Sequence, residues 1–183
     1  SAAYYSSMAI SSDDLEQCGV ANYFGSPHAM KWSGSASSFV DLHYAAGQTW
    51  SYCLGTYGGQ QVGFGERPVY TVTFQYAYLW SGGVATNLHP LGYSYSKALG
   101  VRSGQQVGYA SSVPYPYGET FSYHPASHAM LWTGTAASFV DLNPPGYLAS
   151  EALATNGTRQ GGWAYNLAPA QSQHAALWSG TAD

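Results

Sequence analysis

The residues that could carry chemistry are few, and they recur. His28, His128 and His174 each open the run His-Ala-x-x-Trp. Three imidazoles at matching positions could ligate a metal, since neutral ring nitrogens suit zinc and its neighbours. A second set comprises His43 and His89, with Asn143 at the third matching place, and a third comprises Asp41 and Asp141, with Asn87 between them. Glycoside hydrolysis would need two converging carboxylates. The chain has nine acids, but Glu66, Glu119 and Glu151 sit in loops or at strand starts by pattern, and nothing pairs them. Neither G-x-S-x-G nor a phosphate-binding glycine loop occurs. Two cysteines remain, Cys18 and Cys53, which are either one bridge or two buried thiols.

What positions these residues is a repeat. Tryptophans 32, 80, 132 and 178 lie 48, 52 and 46 residues apart, and each is followed by Ser/Thr-Gly. Upstream of each comes Ser-x-Ala/Cys-Leu/Ile, at Ser7–Ile10, Ser51–Leu54, Ser96–Leu99 and Ser150–Leu153, with a glycine nine residues on at Gly19, Gly63, Gly108 and Gly162. Downstream stands Ser-Phe-Val-Asp-Leu at 38–42 and 138–142, shortened to Thr86-Asn87-Leu88 in the second copy. Alternating apolar and polar positions, β-branched and aromatic residues and Gly/Asn punctuation make each segment a strand. Gly58-Gly59, Ser103-Gly104, Asn156-Gly157 and Asp13-Asp14 are hairpin turn signals.

Four strands per unit of 40–50 residues is the signature of propeller blades. The chain is therefore expected to be all-β: one β-propeller domain over residues 1–183, with four blades at about 7–50, 51–95, 96–149 and 150–183. The last blade is expected to lack its outer strand, leaving an open edge, because no Ser-Phe-Val-Asp-Leu follows Trp178. The Ser-x-Ala strand is expected to be innermost, and Trp32, Trp80, Trp132 and Trp178 to fill the wedges between blades. Equivalent positions on successive blades do not converge, so His28, His128 and His174 read as structural, each bonding nearby backbone or the aspartate of its own blade, Asp41 or Asp141. No catalytic residue, metal or cofactor is expected, and the chain does not read as an enzyme.

The run Ser-Lys-Ala-Leu-Gly-Val-Arg-Ser-Gly-Gln-Gln-Val-Gly-Tyr-Ala (96–110), followed by Ser-His-Ala-Met-Leu-Trp-Thr-Gly-Thr-Ala-Ala-Ser-Phe-Val-Asp-Leu-Asn (127–143), resembles the HAF-type extracellular repeat. The third copy matches best. The second departs most, with Tyr76 in place of histidine. The resemblance implies propeller-like blades and an extracellular or cell-surface setting, and it carries no catalytic motif.

Composition narrows the partners. Only 8% of residues are charged and the net charge is -4, with five scattered Lys and Arg residues. Nucleic-acid binding needs a cationic patch, and neither a polybasic run nor an apolar stretch of membrane-spanning length occurs. Ser1-Ala2-Ala3 shows no signal-peptide pattern, which is expected either of a chain made without one or of a mature product. Hydroxyls and amides, with 17 tyrosines, must solvate the surface. Between the second and third strands, copies one, two and four are expected to have loops at 22–27, 66–75 and 165–173, and copy three a longer one at 111–127. The long loop carries Tyr115, Tyr117, Phe121, Tyr123 and His124, which makes it the candidate interaction loop. The function expected is a structural or assembly subunit that forms oligomers or fibres through its open blade edge or contacts another surface protein. The alternative is a carbohydrate-binding, lectin-type propeller.

Overall fold

The computed structural model describes residues 4–43, 48–70, 72–113, 126–166 and 172–182. They form four antiparallel sheets in chain order, each a simple meander. The first holds β1 (Tyr4–Ser12), β2 (Gln17–Tyr23), β3 (Ser26–Trp32) and β4 (Val40–Asp41). The second holds β5 (Trp50–Tyr57), β6 (Gln60–Val69), β7 (Val72–Ser81) and β8 (Val84–Asn87). The third holds β9 (Tyr95–Arg102), β10 (Gln105–Ser111), β11 (Ser127–Trp132) and β12 (Val140–Asp141). The fourth holds β13 (Ala149–Thr155), β14 (Gln160–Asn166) and β15 (Ser172–Trp178). Two single-turn 3-10 segments, Ala36–Ser38 and Ala136–Ser138, lead into the short outer strands.

Several stretches expected to be loop are strand. In the second unit, β6 runs on to Val69 and pairs residue by residue with β7, Glu66 opposite Gln75 and Arg67 opposite Phe74. In the first unit only Phe24 and Gly25 turn the chain, both at positive φ. Tyr4, ahead of the Ser7–Ile10 segment, is the first residue of β1 and pairs with Tyr23. In each case the ladder continues because pairing satisfies backbone groups that a loop would have to leave to water.

The glycine nine residues after Ser-x-Ala-Leu has a steric cause. Each first strand carries a bulge or register shift beside it, between Ala9 and Ser11, Cys53 and Gly55, Ala98 and Gly100, and Ala152 and Ala154. The glycine opposite sits against the strand backbone. A Cβ at Gly19, Gly63, Gly108 or Gly162 would overlap the carbonyl oxygen of Met8, Tyr52, Lys97 or Glu151 respectively. No other residue fits there.

Each sheet packs on the next, β3 against β5, β7 against β9 and β11 against β13. Among the described residues no strand of the fourth sheet packs on the first to a comparable extent. The three cores lie between successive sheets, and each takes a tryptophan from the later one. Trp80 is buried with Cys18, Ala29 and Leu42. Trp132 lies with Val62, Leu79 and Leu88, and Trp178 with Val107, Leu131 and Leu142. Among the described residues no sheet precedes that of Trp32, which is half-buried.

Candidate functional site

The polar side chains cluster at the junctions between units. In the first unit the His28 Nδ1 lies 2.7 Å from Asp41 Oδ2, which also accepts the Tyr4 hydroxyl at 2.9 Å. In the third, His128 Nδ1 lies 2.6 Å from Asp141 Oδ2, which accepts the Tyr93 hydroxyl at 3.1 Å. The second oxygen of each aspartate accepts the backbone N–H two residues on, from His43 and from Asn143, both at 2.8 Å. Asn87 does the same for His89 at 2.7 Å. The carboxylate is therefore needed only where a histidine faces it. The second unit has Tyr76 instead, and there an amide suffices. Partial burial works against ionisation of Asp41 and Asp141, but the facing histidine and the donated hydrogen bonds outweigh it and hold both carboxyls below the usual range. Burial, then Asp41, pushes the Tyr4 hydroxyl up to about 12, and burial with Asp141 raises Tyr93 further. Both phenols are donors at neutral pH.

A second polar element joins each unit to the next. The Ser51 Oγ accepts the Ala29 N–H at 2.9 Å and lies 2.8 Å from His43 Nδ1. Ser96 accepts the Ala77 N–H at 3.0 Å and lies 2.9 Å from His89 Nδ1. Ser150 accepts the Ala129 N–H at 3.0 Å and donates to Asn143 Oδ1 at 2.7 Å. The Asn143 amide in turn donates to the Tyr147 carbonyl at 3.0 Å, and His89 Nε2 lies 3.1 Å from the Tyr93 carbonyl. An amide can satisfy both partners only with its oxygen toward the serine. His89 therefore takes the matching tautomer, Nδ1 bare and Nε2 protonated. Burial lowers its pKa, and burial followed by the nearby His28 lowers that of His43. The His43 ring stacks on His28 with centroids 4.1 Å apart.

These clusters hold strands together. Among the described residues no group of three His, Cys, Asp or Glu side chains could hold a metal ion. Cys18 and Cys53 are free and fully buried. Burial, with the Cys18 thiol beside it, pushes the Cys53 thiol well above its ordinary value. Tyr115, Tyr117, Phe121, Tyr123 and His124 lie outside the described residues.

One charged group was not apparent from the sequence. Lys97 of β9 is held near Glu66 of β6 and Glu151 of β13, with its ammonium 4.3 Å from the Phe64 ring centroid. Burial lowers its pKa while the two glutamates oppose the shift. Burial also raises Glu66, against the Gln75 hydrogen bond and the Lys97 charge. The signal was present in the repeat: Tyr52, Lys97 and Glu151 are the x of successive Ser-x-Ala/Cys triplets, so opposite charges fall on neighbouring first strands.

No family model, curated protein or solved structure matches the chain.

Proposed function

We propose that this chain is a non-enzymatic structural module of the cell exterior that assembles by adding repeat to repeat, its four sheets being blades of an open β-propeller. The observation that carries this reading is Trp32. Its three counterparts are buried against a preceding sheet, whereas Trp32 lines a groove of about 280 Å³ with Ser7, Ala9, Gln17 and Ala36. At the other end, Leu79 and Leu131 are 5% exposed but their counterpart Leu177 is 65% exposed. Among the described residues Trp32 and Leu177 thus present the two unlike faces of a contact made three times between successive sheets. A contact of this kind joins unlike surfaces and extends into rings or filaments. Low surface charge and the HAF-type resemblance support an extracellular setting. Sedimentation velocity over a wide concentration range tests the reading. Concentration-dependent association, weakened by Trp32→Ala, is expected, and a strict monomer at high concentration sinks it.

A second reading, glycan binding, draws on an aromatic surface cluster. Tyr5 and Phe24 are exposed with ring centroids 5.8 Å apart, and Tyr23 packs on Phe24 at 4.9 Å. Such rings suit sugar faces. A glycan array without hits removes it.

A further inference from the structure

At each junction between successive sheets, a side chain from the second strand of one sheet shares the core with one from the first strand of the next. Between the second and third sheets these are Val62 and Ala98, and between the third and fourth Val107 and Ala152. Between the first and second sheets the same two repeat positions hold Cys18 and Cys53. All six are fully buried. A small apolar pair is thus enough to fill the place, and packing alone asks for no sulfur. The first junction differs at both positions together, and that puts one sulfur beside the other.

The surroundings suit a bond between them. Cys18 is held on β2 opposite Ser11 and Lys31, and Cys53 on β5 opposite Gly63. The two side chains are in hydrogen-bonding contact, and the Cys53 thiol also donates to the Gly55 carbonyl, 3.7 Å away. Neither sulfur is reached by solvent, and burial holds the Cys53 thiol protonated. Thiol–disulfide exchange requires a thiolate with access to the oxidant. The folded thiol form is therefore shielded from exchange.

We infer that Cys18 and Cys53 form a disulfide between the first and second sheets, and that the bond closes while the chain folds rather than after it. Two S–H bonds break and one S–S bond forms. The two electrons and two protons pass to a disulfide oxidant such as oxidised glutathione, which leaves as two thiols. One cysteine takes up half of the oxidant as a mixed disulfide in the part-folded chain, and the other displaces it as β5 packs on β2. Folding under a reductant gives the thiol form described above, and the same burial then preserves it. The bond restricts the unfolded chain between residues 18 and 53 and fastens one sheet to the next covalently. The cell exterior proposed above supplies such an oxidant, but the chemistry of the pair does not depend on that reading.

The test refolds the reduced, urea-denatured chain in a glutathione redox buffer and incubates the folded thiol form in the same buffer beside it. The refolded chain should be lighter by two hydrogens, and a digest without reductant should join the peptides that hold Cys18 and Cys53. The folded thiol form should keep both thiols over the same time. In urea unfolding the bridged chain should gain about a hundredfold in its folded-to-unfolded ratio. The double variant Cys18→Val, Cys53→Ala copies the second junction, so it should fold, and its urea midpoint should be the same from either redox condition. A refolded chain that regains its circular dichroism with both thiols free, or with glutathione attached to either, overturns the proposal. So does a bridged chain no more stable than the thiol form. Oxidation of the folded thiol form as fast as of the refolding chain overturns the order of closure. Bridging is read by mass and association by sedimentation, so this inference and the assembly reading fail separately.

Discussion

His89 Nδ1 lies 2.9 Å from Ser96 Oγ, and through that serine the linker of one unit is tied to the third strand of the same unit and the first strand of the next. Ser96 is fully buried. Ser96→Ala leaves the Ala77 N–H and His89 Nδ1 without their partner. Stranding buried polar groups costs about 1–3 kcal/mol, so urea unfolding should show a loss of that size. An unchanged midpoint would remove the serine from the inter-unit joint.

The lowered pKa values of His43 and His89 make stability depend on pH. Each ring is bound neutral, so the unfolded chain takes up a proton first as pH falls. The stability they contribute is complete above about pH 6.5, the ordinary histidine value, and is lost as pH drops from there through the folded values. The depressed carboxyls of Asp41 and Asp141 act in the same direction at lower pH, below about 4. A double His43→Asn, His89→Asn variant copies Asn143. Denaturant midpoints between pH 7 and pH 5 should then flatten, with little loss at pH 7.

Two adjacent glycines separate a steric requirement from mere smallness. A Cβ at Gly162 would overlap the Glu151 carbonyl, whereas one at Gly161 meets nothing within 4 Å. Gly162→Ala should cost about 3 kcal/mol or more, or prevent folding. Gly161→Ala should change stability by no more than about 0.5 kcal/mol. Thermal melts of the pair check this.

Trp132 is fully buried between the second and third sheets, while Trp32 has only the open groove. Trp132→Ala should destabilise by about 3–5 kcal/mol. Trp32→Ala should cost far less, and its main effect should be on self-association. Guanidinium unfolding at low protein concentration distinguishes the two.

Both cysteines are buried, and the Cys53 thiol is held protonated. A thiol-specific chromogenic reagent should find no reactive group in the native protein and two after denaturation. A reading of zero in denaturant would mean the bridge had formed.

Much of this architecture was legible in the sequence because the repeat exposes what one copy would hide. Four occurrences of Trp-Ser/Thr-Gly and of a glycine nine residues after Ser-x-Ala-Leu mark strand order and turns, since those depend on local sterics and alternation. The same alignment paired Asp41 with His28 and Asp141 with His128 as candidates within one unit. The hairpin extension through Glu66 and Arg67 was less legible, because the turn signals there are weak and the pairing partner decides whether a polar stretch is loop or strand.

Tertiary structure alone decided which unit each repeated side chain serves. Trp132 follows the second unit's core in space although it belongs to the third, and Ser96 bonds Ala77 across the same boundary. Lys97 meets Glu66 and Glu151 from two different sheets. Spacing along a chain specifies what a residue's own strand does, but the neighbour on the far side is chosen by packing. Whether the ends of such a stack meet depends on the small rotation summed over four sheets. For that reason the repeat could not tell whether the fourth sheet packs on the first, and among the described residues the structure shows no such contact to the extent made between successive sheets.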